Sequence, residues 1–209
     1  VDKGLLTEND IMQIKKDEIR QRLMNAACDL FTSKVFVEST SIEITSKAWV
    51  GKGTFYTYFR SKEELVEAII DEGMEELLED IHVSMNEATK SGSSTFRAFI
   101  RSNLEFFSNN QAILKFFNKE MASYSKLQQK IYQIRDRYML EMRNILEKEI
   151  YSGFLRRDLE VNAATSLLYG MFCSSVLHGT TGSQGLSLEH LGESIVALFK
   201  NSGPNPALA

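Results

Sequence analysis

The chain has 209 residues, of which 43% are hydrophobic and 25% are charged, and its formal net charge at pH 7 is -4. This balance excludes a disordered or fibrous chain and predicts a soluble globular protein with one or two cores. The negative net charge also argues against a protein that coats nucleic acid by charge alone, although segregated charges can still create a local basic surface.

The positions of the prolines and cysteines narrow the fold class and the kinds of site that we expect. The two prolines stand at 204 and 206, so no proline interrupts the preceding chain, which predicts long helices and an all-α fold. Cys28 and Cys173 are far apart and form no C-x-x-C, so we expect free thiols in a reducing cytoplasm, with no metal and no cofactor. The apolar run at 163–177 is shorter than the roughly 20 residues that span a bilayer, so we expect no membrane partner.

Helix signals divide the first part of the chain. Apolar residues recur every three or four positions over 15–34, which predicts an amphipathic first helix. The mixed residues at 1–14 are expected to form an N-terminal arm or, as the alternative, an early helical turn. A T-x-x-E capping box predicts a second helix over 40–48, and a third is expected over 52–58. An S-x-x-E box at 61–64 then begins a long fourth helix, whose uninterrupted acidic residues are typical of a solvated face.

The remaining chain predicts a larger helical bundle. Periodic stretches suggest helices at 94–108, 110–118, 122–151, 160–178 and 187–201. The domain prediction is therefore a small three-helix unit at 15–66, a bundle at 67–202 and a tail at 203–209.

A local basic segment carries the main functional signal. Between Ile44 and Lys62 the chain has no acidic residue and four cations, which are Lys47, Lys52, Arg60 and Lys62. Two short helices joined by a tight turn, the second basic at its start and rich in Thr and Tyr, meet the requirements of a helix-turn-helix. Such a second helix enters the major groove, so the segment predicts double-stranded DNA as a partner.

The segment from about Arg20 to Ile69, roughly a quarter of the chain, resembles the DNA-binding domain of the tetracycline-repressor (TetR) family of transcriptional regulators. The run K-G-T-F-Y-T-Y-F followed by S-K-E-E-L makes the resemblance specific. The matching positions are Ala27, Leu30, Phe31, Thr40, Ile44, Lys52, Gly53, Tyr56, Tyr58, Phe59, Lys62 and Leu65. The resemblance implies a helical ligand-binding and dimerisation domain after about Glu67.

By that resemblance, Thr40 and Lys62 are expected to clamp phosphates on either side of the groove, while residues of the second short helix contact phosphates and bases. Phe55 and Phe59 are expected in the core instead. The expected DNA-binding residues are Thr40, Ser41, Lys47, Gly51, Lys52, Gly53, Thr54, Tyr56, Thr57, Tyr58 and Lys62.

Three positions depart from the family pattern. Val35 and Trp49 stand where the family usually has glycine, and Gly51 stands where a capping Ser or Thr is usual. A non-glycine residue at positive φ costs roughly 1–2 kcal/mol, so these changes bear on DNA affinity more than on fold. For Trp49 we expect packing on the small domain, with contact to the DNA edge as the alternative.

The bundle is rich in large apolar residues, most of them expected in the core. A pocket among them would suit a small apolar or aromatic effector held by a few polar groups. The candidate ligand-binding residues are Asn103, Phe107, Phe117, Glu120, Met121, Tyr124, Arg135, Tyr169, Cys173 and His178.

Small residues beside apolar ones in the last two helices, such as Gly170, Ser174, Ala197 and Leu198, predict a two-fold helical interface. A homodimer would place two recognition helices about 34 Å apart and would require a palindromic operator. The sequence thus favours a homodimeric regulator, most often a repressor in this family, that a small molecule releases from DNA. The alternatives are a ligand-binding or interaction module without operator recognition and, more remotely, a helical enzyme.

Overall fold

The computed structural model describes residues 7–33, 38–110, 125–177 and 187–201. Within these ranges the chain forms eight α-helices and no strand, which confirms the predicted all-α fold. The helices are α1 (Glu8–Ser33), α2 (Ser41–Lys47), α3 (Phe55–Tyr58), α4 (Lys62–Ser91), α5 (Thr95–Asn109), α6 (Ser125–Tyr151), α7 (Val161–Leu177) and α8 (Leu188–Phe199). None of the described helices combines the length and the apolar character that crossing a bilayer requires.

The first helix begins earlier than the sequence suggested. α1 starts at Glu8, so residues 8–14 form helix, the alternative to an arm. The cause is a further capping box, in which the Thr7 hydroxyl accepts from the Asp10 amide at 3.2 Å and the Asp10 carboxylate accepts from the Thr7 amide at 2.9 Å. The same bonds to Thr7 lower the pKa of Asp10.

The second and third helices differ in how well their starts are fixed. α2 has both bonds of its predicted capping box, so that prediction is confirmed. α3 begins at Phe55 rather than at Lys52, and its N-cap Thr54 makes no side-chain capping bond. The glycines at 51 and 53 explain the late start, because each disfavours a helix by about 1 kcal/mol relative to alanine.

The later helices agree with the predictions to within a few residues. α4 begins after Ser61, whose hydroxyl accepts from the Glu64 amide at 3.2 Å, and the Glu64 carboxylate accepts from the Arg60 amide at 2.5 Å. α4 ends at Gly92, which takes the left-handed conformation with φ 71° that glycine adopts without steric cost. The helix predicted over 110–118 lies almost entirely outside the described residues.

Two hydrophobic cores share α4. Its first turns contribute Leu65 and Ile69 to the core of an N-terminal unit built from α1 to α4. Its later turns contribute Leu77 and Ile81 to the core of a bundle built from α4 to α8. α4 is therefore a continuous rod through both predicted domains.

A third cluster, which we call the α4–α6 contact, joins the unit to the bundle. Val66 and Ile70 of α4 are buried there against Leu127 and Ile134 of α6. Acidic residues of α4 flank it and pair with cations while their side chains stay 40–68% exposed, so the expected solvated face also carries ion pairs here. The pairs are Asp71–Lys130 at 2.7 Å, Glu75–Arg137 at 3.7 Å and Glu72–Arg20.

Candidate DNA interface and effector site

The capped start of α2 forms one edge of the candidate DNA surface. The Thr40 hydroxyl accepts from the Glu43 amide at 3.2 Å, and the Glu43 carboxylate accepts from the Thr40 amide at 2.8 Å. These reciprocal bonds fix the conformation of the chain where α2 begins. Thr40 is exposed and Ser41 half-buried, so both hydroxyls lie at the surface.

Tyr56 connects α3 to this edge. Its side chain is 66% exposed, and its hydroxyl lies 3.2 Å from the Ser41 hydroxyl. The neighbouring rings take the opposite position: Phe55 and Phe59 are buried in the core of the N-terminal unit, as the sequence predicted. The alternation leaves Tyr56 and Thr57 facing outward from a helix that the two phenylalanines anchor.

The cations of the basic segment have different surroundings. Lys52 is exposed, whereas the Lys47 ammonium lies 3.3 Å from the Asp29 carboxylate of α1. The Lys62 ammonium donates to the Ser39 carbonyl at 2.5 Å, directly before the capped start of α2. Partial burial lowers the pKa of Lys62. Lys62 thus helps to position the α2 start, and its expected phosphate contact stays a prediction.

The glycines of the turn leave the surface open. Gly51 and Gly53 are exposed, and a Cβ added at Gly53 would meet nothing within 4 Å. Gly53 is therefore not required by packing within the described protein. A small residue at such a place allows a close approach of another molecule to the backbone.

The Trp49 side chain does not pack on the small domain as the sequence led us to expect, because it is 87% exposed. Its backbone has φ 56°, in the left-handed region that costs a non-glycine residue roughly 1–2 kcal/mol. The Arg22 guanidinium holds this turn by donating to the Ala48 carbonyl at 2.5 Å and to the Trp49 carbonyl at 3.1 Å. Val35, the other departure at a glycine position, lies outside the described residues.

The second candidate site is a buried cluster in the bundle, which we call the Tyr138 cluster: Asn103, Phe107, Tyr138, Tyr169, Phe172 and Cys173. The Tyr138 hydroxyl donates to the Asn103 side-chain oxygen, and the Asn103 amide donates to the Phe99 carbonyl at 2.7 Å. Both side chains are fully or almost fully buried. Each polar group has a partner, as burial demands.

Aromatic rings surround this polar pair. The Phe107 and Tyr169 ring centroids lie 6.3 Å and 6.1 Å from that of Tyr138, and the Phe107 ring stacks on Phe172 at 6.0 Å. Burial raises the pKa of Tyr138, Tyr169 and Cys173. The cluster therefore brings together four of the predicted ligand-binding residues, which are Asn103, Phe107, Tyr169 and Cys173.

Sequence reasoning did not select Tyr138 as a ligand-binding residue. The usable signal was its place on the apolar stripe of α6, four residues after Ile134 and four before Met142, both of which are buried. Arg135, which was selected, instead pairs with Asp136 at 2.9 Å and lies over the Tyr132 ring. The other candidates lie outside the described residues: Phe117, Glu120, Met121, Tyr124 and His178.

A separate groove of about 870 Å³ lies between α4, α5 and α8, and α5 also carries Asn103 and Phe107 of the Tyr138 cluster. Its lining includes Ile100, Leu104 and Gly192, with charged residues at the rim. Across the rim, Arg97 binds Glu193 through two hydrogen bonds of 2.7 and 2.9 Å. This groove has space for a small molecule and does not include the residues of the Tyr138 cluster.

A helix-turn-helix surface on a small unit, joined through one long helix to a bundle with a polar pair among aromatic rings, defines a ligand-responsive DNA-binding protein. Comparisons with known proteins agree with this class. Residues 23–69 match the family described as bacterial regulatory proteins, tetR family, and residues 70–202 match the C-terminal region of YsiA-like proteins. The chain belongs to the TetR family of bacterial regulatory proteins.

Individual relatives support the assignment along the length of the chain. The chain is 25% identical to the fatty acid metabolism regulator protein of Bacillus subtilis over 189 residues, which are 90% of this chain and 96% of that protein. Two solved structures are similar in fold: the fatty acid degradation regulator FadR of Bacillus halodurans and the regulator FadR of Bacillus subtilis in complex with stearoyl-CoA. The first has a TM-score of 0.73 at 17% identity, over 89% of this chain and 96% of that one. The second has a TM-score of 0.71 at 23% identity, over 85% and 96%.

The protein is therefore a DNA-binding transcriptional regulator. The partner that follows from this class is double-stranded DNA.

Proposed function

We propose that a homodimer of this protein represses transcription by binding a palindromic operator through the surface from Thr40 to Lys62, and that an acyl-CoA releases it. The observation that carries the DNA half of the proposal is the outward face of α2 and α3, where Ser41 and Tyr56 are linked at 3.2 Å above a buried phenylalanine pair. This arrangement presents hydroxyl groups on a rigid support, as base and phosphate recognition requires.

We assign roles within this surface by exposure and charge. Tyr56, Thr57 and Thr54 are placed to reach bases or nearby phosphates, while Lys52 contacts phosphate. Gly51 and Gly53 allow the backbone to approach the duplex, and Tyr58, half-buried, supports α3 from behind. Lys47 and Lys62 act more indirectly, because each ammonium already has a partner within the unit.

The dimer is proposed to form through the outward faces of α7 and α8. Leu167 of α7 and Leu198 of α8 are each 59% exposed, and a Cβ added at Gly170 would meet nothing within 4 Å. Two such apolar faces, each with a small residue that permits close approach, suit a two-fold helical interface. Ile195 does not contribute to this face, because it is buried in the core of its own bundle.

The effector is proposed to be a long-chain acyl-CoA bound beside the Tyr138 cluster. Support comes from the fatty acid regulator that the chain resembles and from the stearoyl-CoA held by a protein of similar fold. The chemistry of the cluster suits an acyl chain, because aromatic rings provide an apolar lining and Asn103 and Tyr138 provide a polar pair.

The α4–α6 contact offers a route from effector to DNA. An acyl chain beside Tyr138 would press on α6, which carries Leu127 and Ile134 against α4 and pairs Lys130 with Asp71. Movement of α4 would change the separation of the two recognition helices, so the effector selects a state that no longer fits the operator.

The test begins with selection of duplexes by the wild-type protein from a random-sequence pool. We expect a palindromic duplex to be enriched and then released by stearoyl-CoA, but not by CoA or stearate at the same concentration. Arg101→Ala, on the rim of the separate groove, is the control that locates the effector site. If the effector binds beside the Tyr138 cluster, stearoyl-CoA should release the duplex from this variant as it does from wild type. No enriched duplex would overturn the DNA half, and loss of release in Arg101→Ala would move the effector to the groove.

The two alternatives have less support. An enzyme acting through Cys173 would need an activated thiolate, whereas burial raises the pKa of this thiol. A module without operator recognition would draw support from the strained turn at Trp49, and the same selection experiment decides it.

A further inference from the structure

The turn between α2 and α3 carries an unusual residue for its conformation. Trp49 is the one non-glycine residue with positive φ among the residues that the structure describes, and it is the single tryptophan of the chain. Its side chain is 87% exposed, so the largest apolar side chain in the protein contacts mostly water. Strained backbone of this kind is found preferentially at functional sites.

The fold does not depend on the indole. The turn is held by backbone bonds from the Trp49 amide to the Ser46 carbonyl at 3.2 Å and from the Val50 amide to the Thr45 carbonyl at 3.0 Å. The Arg22 guanidinium adds bonds to two carbonyl oxygens of the turn. None of these bonds uses the Trp49 side chain, so the turn would keep them with glycine at position 49 and without the steric cost of a Cβ.

The surroundings of Trp49 favour nucleic acid as its contact. The turn joins the two helices of the DNA surface, and Gly51, Lys52 and Gly53 follow it as an exposed stretch. An indole offers a flat apolar face and one N–H donor, which match a deoxyribose and a phosphate oxygen of one strand.

We propose that Trp49 is a DNA-contact residue that packs its indole on the sugar-phosphate edge beside the groove that α3 enters. The proposal rests on the DNA-binding function above and adds a contact that is neutral in charge and tolerant of base sequence. It predicts that Trp49 contributes to affinity without contributing to the salt dependence of binding, since no counterion is released by an uncharged side chain.

The first experiment removes the Trp49 indole and puts in its place residues that adopt the positive φ of the turn more readily. Trp49→Gly relieves the positive φ, and Trp49→Asn keeps a residue that tolerates it. Against the duplex enriched by the wild-type protein, we expect each variant to bind roughly tenfold more weakly, which corresponds to about 1.4 kcal/mol per tenfold change. The salt slope should be unchanged, and the thermal midpoint should be equal to or above that of wild type.

The matched control is Tyr151→Ala, which removes another exposed aromatic side chain at the far end of α6, 92% exposed. This variant should bind the duplex as wild type does. Wild-type affinity in both Trp49 variants would overturn the proposal while leaving the DNA-binding function intact. Failure to enrich any duplex would overturn both together, so the two failures are distinguishable.

The second experiment needs no variant and does not depend on how a variant folds. Because Trp49 is the only tryptophan, indole fluorescence reports this turn alone. We expect acrylamide to quench the free protein strongly and to quench it several-fold less when the selected duplex is saturating. Unchanged quenching on the bound duplex would overturn the proposal.

Discussion

The N-terminal unit and the bundle use their aromatic residues in opposite ways. In the unit, Phe55 and Phe59 are buried while Tyr56 between them is exposed, so one short helix supplies both anchor and recognition surface. In the bundle, Phe107, Tyr138 and Phe172 come from three helices and meet in the interior. The DNA surface is therefore local in sequence, and the effector site is not.

The N-terminal unit and the bundle also differ in how their charged residues are arranged. In the unit, cations lie near the candidate DNA surface, and Lys52 remains exposed there. In the remaining helices, some cations pair with acids of α4, as in Lys130–Asp71 at 2.7 Å, and others pair with acids of later helices, as in Arg97–Glu193 at 2.7 Å. This difference teaches that a negative net charge is compatible with DNA binding when the acids are matched elsewhere.

The largest expected effect is a loss of stability in one of the two cores, which shows whether the N-terminal unit and the bundle unfold separately. Phe55→Ala should destabilise the N-terminal unit by about 3–5 kcal/mol, because it empties a buried aromatic site. DNA binding should be lost while the bundle, with its own core, stays folded. Urea unfolding followed by circular dichroism should therefore gain an early transition.

A matching variant in the bundle tests the same separation of the two cores. Phe96→Ala removes a fully buried ring from the bundle core and should lower the late transition instead. A single unchanged transition in Phe55→Ala would mean that the two cores do not unfold separately.

The next effect concerns the polar pair of the bundle. Tyr138→Phe leaves the buried Asn103 oxygen without its hydroxyl donor and should cost about 1–3 kcal/mol. The free energy of unfolding in urea measures this loss, and Tyr132→Phe, on a 47% exposed ring, is the control.

The same tyrosine predicts a pH dependence. Burial raises its pKa well above 10.0, so below pH 10.0 both the folded and unfolded forms are protonated and the stability is unaffected. Above that pH the unfolded state loses the proton first, and stability falls by up to about 1.4 kcal/mol per pH unit for each such group. Tyr138→Phe should make this alkaline fall shallower, and an equal slope in both proteins would contradict the assignment.

The smallest expected effect tests the cations of the DNA surface. Lys52→Ala should reduce the slope of log affinity against log salt by about 0.9 per subunit, the value for one lost phosphate contact. Lys47→Ala should change it less, because the Lys47 ammonium lies 3.3 Å from Asp29. Titrations of the selected duplex at several salt concentrations measure both slopes, and equal changes would argue against the distinction.

Capping and periodicity, which relate residues only a few positions apart, predicted much of the N-terminal unit correctly. The capping box of Thr40 and Glu43 and the buried Phe55 and Phe59 were predicted correctly. The start of α1 differs from the prediction because it depends on the Thr7–Asp10 box, in which aspartate stands where a capping box usually has Glu or Gln. The exposure of Trp49 agrees only with the alternative prediction of a contact to the DNA edge, since burial of a large apolar side chain is the usual expectation and only the turn geometry opposes it.

What the sequence determined by itself is the class of protein, because helix periodicity, capping and the K-G-T-F-Y-T-Y-F run all act within a few residues of one another. What only the tertiary structure decided is which distant side chains meet: Asn103 with Tyr138, Lys130 with Asp71, and Lys62 with the Ser39 carbonyl. Those contacts depend on how the helices pack, and packing is set by shape complementarity between surfaces that lie far apart along the chain.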